Sequence, residues 1–303
     1  MKLGICLPQM GSQSDGRQVA SFAAAAEDLG YESLWVSDRV LAPREPSDLY
    51  PVGGTSQHPY PAQFTAVLDP IVTLTAAAAS TTSVRLGMST LNALWHNPLL
   101  LGRSLTSLDL VSGGRLDVGI GLGWLQDEYD AVGVPWTGKA ARLDEILDVL
   151  RALWNDNPVE HHGPLFDITS SYNDLTPAQR GGPPLLLGGF GAAALERVGR
   201  RGDGWLPVWG LPAQYLASLW QIARSAAEDR GRDPDSLRRE MRINIAPGQT
   251  MSDVATICDE IDAMGIESAF VDLNYVTDTV EAAVLLAADL MVCREGSPAG
   301  VGG

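Results

Sequence analysis

The sequence predicts an α/β fold, a single (β/α)8 barrel, on three observations. Eight short β-branched or apolar runs alternate with eight amphipathic stretches, and the period never changes along the chain. Two of the helical stretches open on a capping side chain followed by proline, Asp69-Pro70 and Asn97-Pro98, where the missing proline N–H leaves no bond unmade. A length of 303 residues suits either two average domains or one large barrel, and the unbroken alternation decides for one.

In chain order, the first unit is a strand at 3–8 and a helix at 18–29, with Val19, Phe22, Ala23, Ala26 and Leu29 on one face. The second strand, 33–36, leads to the proline-initiated helix 69–79, and the third, 84–89, to 98–110. The fourth, 116–120, leads to 140–154, where Leu143, Ile146, Leu147, Leu150 and Leu153 form the apolar stripe. The remaining units pair 184–188 with 192–200, 204–206 with 212–230, 242–246 with 251–264, and 268–271 with 277–294. One domain over 1–295 results, and the tail 296–303, GSPAGVGG, has the composition of a disordered segment. Three connections exceed ordinary loop lengths. Residues 39–68 and 124–139 follow the second and fourth strands and so lie over the C-terminal mouth. The third, 155–182, precedes the fifth strand and either enters it from below or folds back as a hairpin.

Composition removes several function classes. A formal charge of −16 lacks the basic stripe that nucleic acid or an anionic membrane requires, although a local arginine cluster could still hold an anionic cofactor. Cys6, Cys258 and Cys293 stand far apart, which suggests neither a disulfide framework nor a metal site and fits a reducing cytoplasm. There is no basic-then-apolar leader, and no apolar run approaches a membrane span. The expected partner is a small molecule, with no nucleic acid and no membrane.

In a barrel the chemistry is read from the residues just beyond each strand. In order these segments are Pro8-Gln9, Ser37 to Arg39, Ser89 to Asn92, Gly121 to Trp124, Gly188 to Gly191, Pro207 to Trp209, Pro247-Gly248 and Leu273-Asn274. The first strand carries no H-x-H for a metal hydrolase, and Asp38 is the one carboxylate at the mouth, which disfavours a retaining glycosidase. What stands out is GGRLDVGIGLGW, 113–124, with Gly119, Gly121 and Gly123 at alternate positions, and GGFG, 188–191, one strand further on. The dinucleotide fingerprint G-x-G-x-x-G fails, because the third glycine would fall on Trp124 or Gln126. Glycines at strand ends also expose backbone N–H groups as an anion nest, and the second turn runs straight into its helix. Tight turns and close helix packing would equally use glycine there.

The segments ESLWVSDR, VRLGMSTL, NPLLLGRSLTSLDLVSGGRLDVGIGLGW, RLDEILDVLRALW and RRGDGWLP resemble the bacterial luciferase-like oxidoreductases, in particular the actinobacterial branch that uses the deazaflavin coenzyme F420. The resemblance covers about residues 1–290. It implies the barrel, a flavin-type cofactor at its C-terminal mouth, a homodimer, and a non-proline cis peptide at Ser89-Thr90 behind the cofactor's central ring. By position, Asp38 matches the acid at the edge of the cofactor rings, and Leu122, Gly123 and the run Gly188, Gly189, Phe190, Gly191 match phosphate and ribityl contacts. Ser89, Thr90, Asn92 and Gly121 complete the expected cofactor set. Two positions depart from the family. Arg39 stands where many members have His, and Trp124 where the sugar-phosphate dehydrogenases have a Glu proton donor. An arginine side chain stays protonated and cannot serve as a base, so it would act through charge alone.

Arg39 and His96, the latter in WHNP, are the catalytic candidates; a surface ion pair and a structural histidine before a helix start are their alternatives. Trp95, Trp124 and Trp209 would line an apolar substrate pocket or simply pack there. His161 and His162 lie in the third long connection without a ligand set around them, and no metal is expected. The resemblance thus implies an F420-dependent oxidoreductase transferring a hydride to or from a small organic substrate. The alternatives are an FMN-dependent monooxygenase fed by a separate reductase, and a non-catalytic cofactor-binding or dimer-partner protein.

Overall fold

The structure, a computed structural model, describes residues 1–296. The predicted tail therefore lies outside the described residues, apart from Gly296. The first four strands are β1 (Lys2–Cys6), β2 (Ser33–Val36), β3 (Arg85–Met88) and β4 (Leu116–Ile120). A hairpin comes next, β5 (Val159–His162) and β6 (Asp167–Ser171), and then β7 (Leu185–Gly188), β8 (Gly204–Leu206), β9 (Arg238–Asn244) and β10 (Ser268–Asp272). All but the hairpin strands are parallel and close into one barrel, β10 pairing back onto β1. The helices are α1 (Val19–Asp28), α2 (Pro70–Ser80), α3 (Pro98–Ser112), α4 (Gln126–Ala131), α5 (Lys139–Asn155), α6 (Ala192–Arg201), α7 (Ala213–Glu228), α8 (Met251–Ala263) and α9 (Val280–Glu295).

Local chemistry sets the helix ends, and the starts of α2 and α3 fall where the sequence placed them. Asp69 accepts the Val72 N–H at 2.8 Å to open α2, and Asn97 accepts from Leu99 and Leu100 to open α3. Helix α3 stops at Gly113, whose left-handed φ of 66° suits a residue without Cβ. Thr250 and Asp253 form a reciprocal capping box on α8. The apolar stripes then bury Phe22, Leu105, Ile146, Leu195 and Leu290 against the outside of the barrel.

Two expectations are refined. The third long connection folds back as the β5–β6 hairpin, one of the two courses left open. Strand β9 begins at Arg238, four residues before the predicted start at 242. Its opening residues, Arg238, Arg239 and Glu240, are charged because they sit at the polar N-terminal rim, so hydrophobic patterning does not mark them as strand. There Asp117 accepts from Arg85 at 2.6 and 2.7 Å and from Arg238 at 2.5 Å, joining β3, β4 and β9. Glu240 is buried beside them, and burial pushes its carboxyl up to about 7 despite the neighbouring Arg238 charge.

The barrel interior is plugged at mid-height. Trp35 stacks on Phe270 with ring centroids 4.1 Å apart, and Cys6, Leu186 and Leu206 pack around the pair. This plug separates a cavity of about 390 Å³ at the C-terminal mouth from one of about 730 Å³ at the N-terminal end. Among the described residues, no helix is long and apolar enough to cross a membrane.

Candidate active site

The predicted residues come together around the mouth cavity. Asp38 and Arg39 reach it from the end of β2, and Ser89, Thr90 and Asn92 from the end of β3. Gly121, Leu122 and Gly123 follow β4, and Gly188, Gly189 and Phe190 close the wall at β7. Gly191 stands just outside this wall as the residue that caps α6. His96 is not part of the wall. It is half-buried at the end of a short turn, and burial lowers its imidazole pKa, partly opposed by the Asp69 carboxylate.

The three alternate glycines have three separate causes. A Cβ on Gly119 would lie 1.7 Å from the Met88 carbonyl oxygen, and one on Gly121 would lie 2.2 Å from Thr90 Oγ1. Gly123 instead adopts φ +62°, which turns the chain away from the strand. Tyr129 fixes this turn from below by donating its hydroxyl to the Leu122 carbonyl at 2.5 Å. The backbone N–H groups of Leu122, Gly123 and Trp124 have no acceptor among the described residues, nor do those of Gly189, Phe190 and Gly191. The second turn is held open by Trp205, whose indole N–H donates to the Gly189 carbonyl at 2.9 Å. Two rows of unspent donors on adjacent strands suit a phosphate. Arg197 of α6 reaches the same wall, paired to Asp144 at 2.7 Å.

The Ser89-Thr90 peptide is cis, as the resemblance implied. Its Ser89 carbonyl accepts from Arg242 Nη1 at 2.5 Å, and Ser37 Oγ accepts from the same nitrogen at 3.0 Å. Arg242 also donates to Asn244 Oδ1 at 2.8 Å and to the Asp272 carboxylate. Every arm of this buried guanidinium is occupied, and the Asp272 charge holds it more firmly protonated than an ordinary arginine. Asp38 accepts the Asn92 N–H at 3.0 Å, yet burial dominates and raises its carboxyl to about 6. Arg39 pairs with Glu128 of α4 and lies over the rings of Phe64 and Trp124 at 4.9 and 5.0 Å. The same helix binds the segment after β2 again, through Ser47, whose N–H and hydroxyl donate to Asp127 at 2.9 and 2.5 Å.

Several residues of the wall escaped sequence reasoning. Arg242 and Asn244 were hidden by the late start assigned to β9, which pointed to Pro247-Gly248 as the strand's end. Tyr275 stands one residue past the Leu273-Asn274 pair read at the last strand. Tyr50 and Val52 come from the long segment after β2, which no strand-end rule places.

Comparison with known proteins agrees with this architecture. The family model for luciferase-like monooxygenases matches residues 1–268. The phthiodiolone/phenolphthiodiolone dimycocerosates ketoreductase of Mycobacterium tuberculosis is 31% identical over 247 residues, 80% of this chain, and the match spans only 64% of that relative's length. Among solved structures, monooxygenase RslO1 from Streptomyces bottropensis superposes with a TM-score of 0.78 at 22% identity, covering 97% of both chains. An F420-dependent secondary alcohol dehydrogenase in complex with an F420-acetone adduct superposes with a TM-score of 0.75 at 16% identity, covering 97% of this chain and 98% of that one. With the closed barrel, the mouth cavity and a family match across most of its length, this chain belongs to the luciferase-like monooxygenase family.

Proposed function

We propose that the protein is a coenzyme F420-dependent oxidoreductase that moves a hydride between the deazaflavin and a small, partly apolar organic substrate. The observation that carries this reading is the mouth cavity itself, an apolar chamber flanked by two turns of unspent backbone donors. Those turns would anchor the phosphate, with Arg197 beside them. Asp38, Ser89, Thr90 and Asn92 would flank the ring system, and Arg39 would add a fixed positive charge to the wall. The cofactor supplies the hydride chemistry when bound, while the chain binds it, orients it and excludes water. His96, away from the wall, is left with a structural role.

A deazaflavin passes hydrides and does not activate oxygen, so the reaction type and the cofactor stand together. The ketoreductase relative and the acetone adduct of the solved neighbour both favour hydride transfer at a carbon–oxygen centre. The monooxygenase alternative is favoured by the likeness to RslO1, a monooxygenase. Anaerobic titration with F420 and with FMN, followed by absorbance and fluorescence, tests the choice. Tight F420 binding with weak FMN binding is expected, the reverse order would make the protein a flavin monooxygenase, and binding of neither would leave a non-catalytic partner protein.

The apolar residues that α2 and α3 leave in solvent, Val72 at 69% exposure, Leu100 at 56% and Val111 at 55%, support a homodimer through these helices. Leu100→Glu should convert a dimer to a monomer in sedimentation, and an unchanged mass would place the interface elsewhere.

A further inference from the structure

We propose that Tyr275 gives and takes the proton at the substrate's oxygen, and that the substrate is one of a ketone and secondary alcohol pair. This inference rests on the hydride-transfer reading above. Tyr275 follows β10 on a turn with little freedom. The Asn274 N–H donates to Asp272 Oδ1 at 3.0 Å, its side-chain amide donates to the Leu7 carbonyl at 3.0 Å, and the Val276 N–H closes onto Leu273 at 3.1 Å. The ring is therefore presented to the mouth cavity without local rearrangement.

Its hydroxyl has no hydrogen-bond partner among the described residues, while the cavity around it is walled mainly by aromatic and aliphatic groups. A lone phenol in such surroundings calls for an acceptor oxygen on the ligand. The cations of the wall are already partnered. Arg39 is paired with Glu128, Arg197 with Asp144, and Arg242 has four partners. Burial raises the Tyr275 phenol above its ordinary range and the Arg242 charge opposes that rise, so the group is a protonated donor at neutral pH with a fixed cation nearby for its phenolate. Tyr50 brings a second phenol to the same cavity, with its ring edge-on to Trp124 at 5.4 Å.

In the reducing direction a bound reduced deazaflavin would supply the hydride, with its two electrons, to the carbonyl carbon. The π bond breaks onto oxygen, and that oxygen takes the proton from Tyr275 Oη. The phenolate would recover a proton from solvent through the open mouth, and the proton that an oxidised deazaflavin gives up would balance it in the overall reaction. Alcohol oxidation runs the same steps backwards.

The test compares two ligands of one shape, cyclohexanone and methylenecyclohexane, which differ in the acceptor oxygen. The protein, saturated with whichever of F420 and FMN it binds, or alone if it binds neither, is titrated with each by tryptophan fluorescence. The parent should prefer the ketone by about tenfold. Tyr275→Phe should abolish that preference while leaving the alkene and cofactor affinities unchanged, and Tyr50→Phe should keep most of it. In single turnovers of reduced F420 with cyclohexanone, Tyr275→Phe should be slower by about a hundredfold. No ketone preference in the parent, or an undiminished one in Tyr275→Phe, overturns the proposal. FMN binding in place of F420 overturns the cofactor reading alone, because the ligand comparison is still read.

Discussion

Arg39 and Glu128 form an ion pair, Nη1 to Oε2 at 2.5 Å, that ties the segment after β2 to helix α4. The arginine side chain is 12% exposed and the glutamate is fully buried, so neither charge has water to fall back on. Arg39→Ala should cost about 3 to 5 kcal/mol of stability, because it strands a buried carboxylate. Adding Glu128→Leu should recover much of that loss in urea melts. Additive losses in the double variant would show that the two side chains are not coupled.

Gly191→Asp separates fold from ligand binding. A Cβ there meets no atom within 4 Å, and the position already caps α6 with ordinary extended backbone. An aspartate should gain a few tenths of a kcal/mol as a cap, yet weaken binding of the anionic cofactor by about tenfold or more by placing a carboxylate at the phosphate turn. A thermal melt and a fluorescence titration read the two effects, and unchanged affinity would take the phosphate away from α6. Gly123→Asp is the poorer probe, since its Cβ would lie 2.6 Å from Asn92 Nδ2 at a φ of +62°.

Asp38 should set a pH dependence on binding. With its carboxyl raised to about 6 by burial, it is neutral below that pH and charged above it. Affinity for an anionic coenzyme should therefore fall by about tenfold as pH rises through 6, and Asp38→Asn should flatten the profile. An inflection that survives in the Asn variant would belong to another group.

How far the sequence spoke depended on what each residue faced. The helices and most strands were legible because their apolar faces meet one core, and the caps Asp69 and Asn97 with the prolines after them fix where two of the helices start. Strand β9 was placed late because Arg238 pairs with Asp117 and Glu240 is buried at the polar rim, so charged residues stand inside the strand and read as loop. Arg39 shows the limit for the site: the sequence places it at the mouth, but its partner Glu128 is 89 residues away and invisible to any local rule. Tyr50 and Tyr275 were unreadable for the opposite reason. Nothing about an unpaired phenol marks a sequence, and only the closed barrel brings these two into one cavity.

Glu240 should give the protein a stability slope at neutral pH. Its folded value of about 7 lies above its usual 4.5, so the folded state holds a proton that the unfolded chain has released. The stabilising contribution is complete below 4.5 and is lost as pH rises through 7, by up to about 3 kcal/mol. Glu240→Gln should narrow the gap in unfolding free energy between pH 5 and pH 8. A gap of equal size in both proteins would assign the slope elsewhere.

The Trp35–Phe270 plug makes the catalytic chamber a room with one door. Nothing can pass from the larger cavity beneath, so on the proposed function both ligands use the same opening, and the one seated deeper must arrive first. Kinetics should accordingly be sequential and ordered, with the coenzyme leading and the substrate second. The product is first out, and the spent coenzyme's departure waits on it.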